Sequence, residues 1–267
     1  MNQIGDYEIV GTIGAGNHGT FYKARPPARL GLDAEFVAVK LLERHATDDE
    51  FRRVANELRV FAAVKSDHLV EAYDAGHQGG QLFYVVAWYP DGSLAMPTNS
   101  LEQRVVVQAV ADACRGAHAL HEVGVAHRDI KPSNVLLDDG RGRLSDLGLA
   151  QVMSPGMTTT GVGPVGSIEF MEPDLVWGEK AGRASDVWSL ALTLHHGLVG
   201  EGVFGVIPEA NVLEAFRHVI HNRPTVSPDL PAEFSPILER ALAEDRKDRY
   251  ATAAELAVDI EKAGELS

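Results

Sequence analysis

His127-Arg128-Asp129-Ile130-Lys131-Pro132-Ser133-Asn134 puts a potential base, a cation and a neutral oxygen ligand within eight residues. Asp129 can accept a proton from a hydroxyl, Lys131 can hold an anionic group beside it, and Asn134 offers a carbonyl oxygen to a hard cation. Pro132, Ser133 and Asn134 are also ordinary turn residues, so the same stretch reads as a polar surface turn. The two readings separate only on what the flanking chain supplies.

Downstream, two short apolar segments, Val135-Leu136-Leu137 and Arg143-Leu144-Ser145, flank the turn Asp138-Asp139-Gly140 and predict a hairpin. Asp146-Leu147-Gly148 follows. Asp146 reads either as a strand-ending turn residue or, beside Asn134 across the hairpin, as the second donor of an oxygen-rich site suited to Mg²⁺. From Gln151 to Gly166 the chain is rich in Thr, Gly, Pro and Met, with Thr158, Thr159 and Thr160 in a row, the composition of a mobile loop. Helices resume at Ser185-Asp186-Val187-Trp188, and Thr252-Ala253-Ala254-Glu255 has the pattern of a capping box for a last helix.

Upstream, Val106, Val110, Ala113, Ala117 and Leu120 recur at steps of four and three, which predicts one long amphipathic helix over 105–123. Before it, the Pro90-Asp91-Gly92 break separates a strand-rich first third from a helical remainder, and the domain boundary falls here. In that first third, strands are expected at Tyr7 to Ile13, Thr20 to Ala24, Phe36 to Leu42 and Leu82 to Ala87, with one helix over Asp48 to Val64.

Gly14-Ala15-Gly16-Asn17-His18-Gly19 lets the backbone approach a ligand closely, though a glycine hairpin without a ligand has the same sequence. A dinucleotide loop opens into a helix; these glycines lead into β-favouring Thr20-Phe21-Tyr22, so that reading is poor. Lys40 sits in the apolar run Phe36-Val37-Ala38-Val39-Lys40-Leu41-Leu42, where it needs an anion or a route to solvent. It reads as an outward edge-strand lysine or as the partner of Glu57, which borders the apolar face of the predicted helix.

The chain has 267 residues with 45% hydrophobic side chains, enough for a sizeable core. A formal charge of -14 argues against nucleic acid as a partner while leaving room for a local site for one polyanion. Cys114 is the single cysteine, so no internal disulfide forms and a reducing compartment fits. No apolar run reaches membrane-spanning length and Met1-Asn2-Gln3-Ile4-Gly5-Asp6 lacks a signal-peptide layout, so a cytoplasmic chain without a membrane partner is expected.

Taken in order, the glycine loop, Val37-Ala38-Val39-Lys40, Glu57, His127-Arg128-Asp129, Asn134, Asp146-Leu147-Gly148, Met171-Glu172-Pro173-Asp174, Asp186-Val187-Trp188-Ser189 and Arg249 resemble the eukaryotic-type (Hanks-type) serine/threonine protein kinase family, and the chain is similar to its bacterial members. The resemblance implies an α+β, bilobal fold: a small β-rich N-lobe over 1–87 with one main helix, a hinge over 88–92 and a larger, mostly α-helical C-lobe over 93–267. It implies an ATP-dependent enzyme acting on Ser/Thr hydroxyls of proteins, itself included. ATP and Mg²⁺, with Mn²⁺ as a substitute, would be the cofactors.

The same resemblance assigns the residues. Gly14, Gly16 and Gly19 would cover the phosphates; Ile13, Phe21, Ala38 and Leu136 would line the nucleotide site; backbone groups of Ala87 and Tyr89 would bind adenine. Lys40, held by Glu57, would bind the α- and β-phosphates, and Asn134 with Asp146 would hold the metal. Asp129 would be the base and Lys131 the charge neutraliser, with Ser167 where the family usually has a threonine bridging the two. Arg128 would go with phosphorylation of Thr158, Thr159 or Thr160. Asp186 would anchor the catalytic loop, and Asp174 would pair with Arg249.

Three positions depart from the family's pattern. Phe21 replaces the valine that roofs adenine, and its ring either crowds the pocket or swings aside. Asp174 is one methylene shorter than the usual glutamate. Ala95 to Arg104 is polar and short for the first helix of the large lobe. Two alternatives are carried: a pseudokinase scaffold, against which stand Lys40, Asp129 and Asp146, and a small-molecule phosphotransferase, against which stand Lys131-Pro132 and the segment Gly166 to Asp174.

Overall fold

In the computed structural model, residues 2–16, 19–45, 48–146, 168–208 and 211–266 are described. The described residues divide into two units, one from within 1–65 and 70–88, the other from within 66–69, 89–146 and 168–266. Among the described residues no helix is long and apolar enough to cross a membrane.

The first unit is an antiparallel sheet in the order β1-β2-β3-β4-β6-β5, built from β1 (Gln3–Ile4), β2 (Tyr7–Gly16), β3 (Gly19–Arg25), β4 (Val37–His45), β5 (Ala72–Gln78) and β6 (Gln81–Ala87). Alternation along the strands sorts the side chains. Val37, Val39 and Leu41 of β4 and Phe83 and Val85 of β6 pack with Ile4, Tyr7 and Ala24 into one buried cluster. Ala38, Lys40, Tyr84 and Val86 occupy the intervening positions, which face the other way. Helix α1 (Asp48–Ala63) packs on β5.

A polar clamp closes the first cluster. Tyr7, fully buried, donates its hydroxyl to Asp74 at 2.5 Å, and Arg29 bonds both Asp74 and Asp6. Burial and the Asp74 carboxylate push the Tyr7 hydroxyl well above the usual phenol range.

The second unit centres on α2 (Gln103–Glu122) and α3 (Arg183–Val199). Residues Ser185 to His195 of α3 are buried in an unbroken run, so this helix is surrounded by protein rather than showing one apolar stripe. Around the pair lie α4 (Val212–His221), α5 (Ser235–Ala241) and α6 (Ala253–Ala263), the last begun by Thr252, whose hydroxyl accepts the Glu255 N–H at 3.2 Å.

A hairpin of β7 (Val135–Asp138) and β8 (Arg141–Leu144) lies on α2. Its two-residue turn uses Asp139 (φ 49°) and Gly140 (φ 74°), the positive-φ pair that matches strand twist. Gly142 makes the close contact with α2 possible: a Cβ there would sit 2.2 Å from the Ala109 carbonyl oxygen. Buried Asp112 accepts from Arg141 Nε at 2.7 Å and Gly142 N at 3.0 Å, locking hairpin to helix.

No helix forms between Ser93 and Glu102. This stretch instead runs along the hairpin, with Leu94 N donating to Val135 O at 3.0 Å and Ala95 N to Pro132 O at 3.3 Å.

Candidate active site

In the sheet unit the glycines lie within the strands rather than in a separate loop. Gly14 pairs with Phe21 and Gly16 with Gly19, so β2 and β3 extend to the tip, and Asn17 and His18 lie outside the described residues. Gly19 has φ +147°, and a Cβ would meet the Leu41 carbonyl oxygen at 2.1 Å; Gly14 has nothing within 4 Å. The first is therefore required by packing against β4, and the second leaves a bare backbone edge. Ile13 is exposed and Ala38 buried.

Lys40 is buried at 7% exposure, its ammonium 4.7 Å from the Phe21 ring centre and 5.8 Å from that of Tyr84. The Phe21 ring thus lies against the lysine. Helix α1 includes position 57, but the Glu57 side chain lies outside the described residues. The Ala87 N–H is given to Glu71 O at 2.9 Å, so its carbonyl is the group that can serve a ligand.

In the helical unit the opening stretch is fixed from below by α3. Buried Asp186 accepts from the backbone N–H of His127 at 2.7 Å and of Arg128 at 2.9 Å, and bonds His121 Nε2 at 2.7 Å. Arg128 sits at φ +71°, an unfavourable region for a branched-free but bulky residue, and the two amide bonds to Asp186 hold it there. His127 is fully buried with Nε2 2.9 Å from Ser145 O, while Asp129 N points at its Nδ1 at 3.4 Å. Burial pushes the imidazole pKa below its ordinary value, which favours the neutral tautomer that donates from Nε2 and accepts at Nδ1.

Asp129 therefore has its backbone position set by two buried groups. Lys131 Nζ reaches both of its carboxylate oxygens at 2.9 Å, and Asn134 Nδ2 donates to its carbonyl at 2.7 Å and to Oδ2 at 3.1 Å. The sequence-predicted base, charge neutraliser and metal ligand meet on one carboxylate.

Asn134 O accepts from Ser145 N at 2.8 Å and Ser145 Oγ at 3.1 Å, continuing the hairpin ladder one step past β7 and β8. That ladder brings Asp146, at φ +62°, to the same end of the hairpin. The donor set fits a hard divalent cation. With its amide nitrogen on Asp129, Asn134 keeps a carbonyl oxygen, and Asp146 adds a carboxylate. Among the described residues no group of three or more His, Cys, Asp or Glu is placed to hold a metal ion. Leu136 is half-buried on β7 of this hairpin, and the Tyr89 ring lies 6.0 Å from the Arg143 guanidinium.

One assignment is corrected. Arg249 bonds Glu172, not Asp174, donating to Oε1, and Arg246 donates to both oxygens of the same carboxylate at 2.6–2.7 Å. Glu172 is 1% and Arg249 4% exposed, with the guanidinium stacked 4.8 Å over Trp188. Asp174 lies within the short helical turn Pro173–Trp177. The longer glutamate reaches the buried arginine, which accounts for the exchange. Burial pushes the Glu172 carboxyl up, but hydrogen bonds from Arg246, Ser185 and Arg249 outweigh it and hold it below the usual range.

Leu147, Gly148, Thr158, Thr159, Thr160 and Ser167 lie outside the described residues. Reading the sequence missed Tyr84, His121, Ser145 and Glu172 as supports of the site. For Tyr84 the signal was its place two residues before Val86 on the same strand face.

Comparison with known proteins agrees with this arrangement. The protein kinase domain model matches residues 7–259. The serine/threonine-protein kinase PrkC of Bacillus subtilis is 30% identical over 97% of this chain and 40% of its own length. PknB of Mycolicibacterium smegmatis is 29% identical over 95% of this chain and 42% of its own length. The chain thus spans about two fifths of these curated relatives. The crystal structure of the Mycobacterium tuberculosis PknI kinase domain is 26% identical with a TM-score of 0.72, covering 99% of each chain. With the motifs in order, the anchored Asp129 and a family match over nearly its whole length, this chain belongs to the protein kinase domain family.

Proposed function

We propose that this domain is an ATP-dependent serine/threonine protein kinase that transfers the γ-phosphoryl group to protein hydroxyls, its own among them. The observation that carries the reading is the Asp129 carboxylate, bonded by Lys131 and Asn134 in a loop pinned to α3 through Asp186. In this reading Asp129 orients the substrate hydroxyl and takes its proton, a contribution of roughly 10²–10⁴-fold. Lys131, which shares the carboxylate in the free protein, moves charge compensation to the transferred phosphoryl. The lysine side chain two positions after the base also favours Ser/Thr over Tyr acceptors, as in the family. In the sheet unit Lys40 binds the α- and β-phosphates, Gly14 offers them a bare backbone edge, Ile13 and Ala38 line the nucleotide, and Ala87 offers a backbone group to adenine.

Asn134 and Asp146 are the residues that hold the divalent cation, which neutralises charge on the phosphates when bound. We assign Mg²⁺, with Mn²⁺ as a substitute, because the donors are oxygens. Arg128 and the threonine row support autophosphorylation at Thr158, Thr159 or Thr160, to be read by mass spectrometry of active protein. An unmodified segment removes that part. A cytoplasmic setting is supported by the single, buried Cys114, and cell fractionation tests it. The charge of -14 supports protein rather than nucleic acid as acceptor.

Asp129→Asn tests the assignment. It is expected to abolish transfer to a generic basic protein while leaving Mg-ATP binding measurable. A variant retaining most of its activity removes Asp129 from the role of base.

A further inference from the structure

The ladder of the first unit pairs Phe21 with Lys40 and Lys40 with Tyr84, so three residues on three neighbouring strands form one cross-strand row. Directly opposed residues of antiparallel strands share a face, and here the cation is the middle member. Its ammonium lies 4.7 Å from the Phe21 ring centre and 5.8 Å from the Tyr84 ring centre, both within the reach of a cation–π attraction of about 6 Å. Lys40 is 7% and Tyr84 4% exposed, so the attraction acts on a desolvated charge, where it is strongest.

We propose that Phe21 and Tyr84 are positioning residues for Lys40, holding its ammonium between two ring faces where it meets the nucleotide phosphates. This rests on the reading of Lys40 as the phosphate-binding lysine. The rings attract the charge of the ammonium as a whole and take up none of its hydrogen-bond donors. A flexible four-carbon side chain loses rotamer freedom when it must reach one position, and rings that confine it beforehand lower that cost on binding. The role also explains the departure from valine at position 21. A ring at that position gives Lys40 a face, whereas an aliphatic side chain gives adenine a roof.

The two roles differ in which part of the nucleotide they touch. ATP and adenosine affinities are measured by titration on the wild-type chain, Phe21→Leu, Phe21→Tyr, Tyr84→Leu, Tyr84→Phe, Lys40→Met and Lys40→Met/Phe21→Leu. The expected result is that both leucine variants weaken ATP by about 3- to 30-fold with adenosine unchanged, the size of a lost cation–π contact. The ring-retaining variants restore what the leucines lose, and Phe21→Leu has no further effect in the Lys40→Met background. Unchanged adenosine binding also reports that each variant is folded. Equal losses for adenosine and ATP make Phe21 an adenine roof and overturn the proposal, as does unchanged ATP affinity in both leucine variants. If Lys40→Met itself binds ATP like the wild type, the phosphate role of Lys40 falls, and the positioning role with it.

Discussion

At the scale of single residues, Glu172 shows how a motif can keep its chemistry while moving its atoms. A carboxylate between Arg246 and Arg249, all but excluded from solvent, leaves an uncompensated buried cation when its charge is removed. Glu172→Gln is expected to cost about 3–5 kcal/mol of stability. Asp174→Asn, on the neighbouring turn, is expected to stay within about 0.5 kcal/mol. Chemical denaturation of the two variants checks this, and a larger loss at Asp174 contradicts the assignment. The polar residues of the site were legible because phosphoryl transfer needs a few residue types at fixed spacings, and Asp129, Lys131, Asn134 and Asp146 carry them. Which of two adjacent acids reaches Arg249 was not, because that depends on side-chain length and on the direction in which the chain enters Pro173. For Tyr84 the two-residue spacing from Val86 gave the strand face, but its relation to Lys40 exists only across a ladder.

At the scale of elements, the glycines divide by what stands over them. A side chain at Gly19 meets the β4 backbone and must also adopt φ +147°, whereas one at Gly14 meets open space. Gly19→Ala is therefore expected to lower the unfolding midpoint clearly, and Gly14→Ala to leave it nearly unchanged while altering ATP affinity. Thermal melts with and without Mg-ATP separate the two effects, and equal melts for both variants contradict the packing argument. The elements that the sequence pattern revealed are the apolar ones, α2 through its helical spacing and β4 as a continuous run that is buried on both faces. Strand β5, Ala-Tyr-Asp-Ala-Gly-His-Gln, escaped because it is an edge strand with mixed polarity and no fully buried side chain. The stretch after the Pro-Asp-Gly break carries no helical pattern and forms none, its backbone bonds going to the hairpin instead.

At the scale of the whole molecule, buried titratable groups set the pH range in which the fold is firm. Burial lowers the pKa of both His127 and His195, so below their unfolded value near 6.5 the unfolded chain binds more protons than the folded one. Stability from keeping them neutral is complete above about pH 6.5 and declines as pH falls toward their folded values. Asp112, held low against burial by His68, Arg141 and the Gly142 N–H, and Glu172, held low by Arg246, Ser185 and Arg249, add a second loss below roughly pH 4. Denaturant unfolding followed from pH 7.5 to 5.5 is expected to show falling stability, and a flat or rising curve contradicts buried, neutral histidines.

The central claim is catalytic, and one assay meets it directly. Wild-type chain and Asp129→Asn are incubated with γ-labelled ATP, Mg²⁺ and a basic protein acceptor, followed by phosphoamino-acid analysis. The account predicts label on serine or threonine with the wild type and none above background with the variant. Nucleotide that binds but transfers no label to protein, with either Mg²⁺ or Mn²⁺, contradicts it.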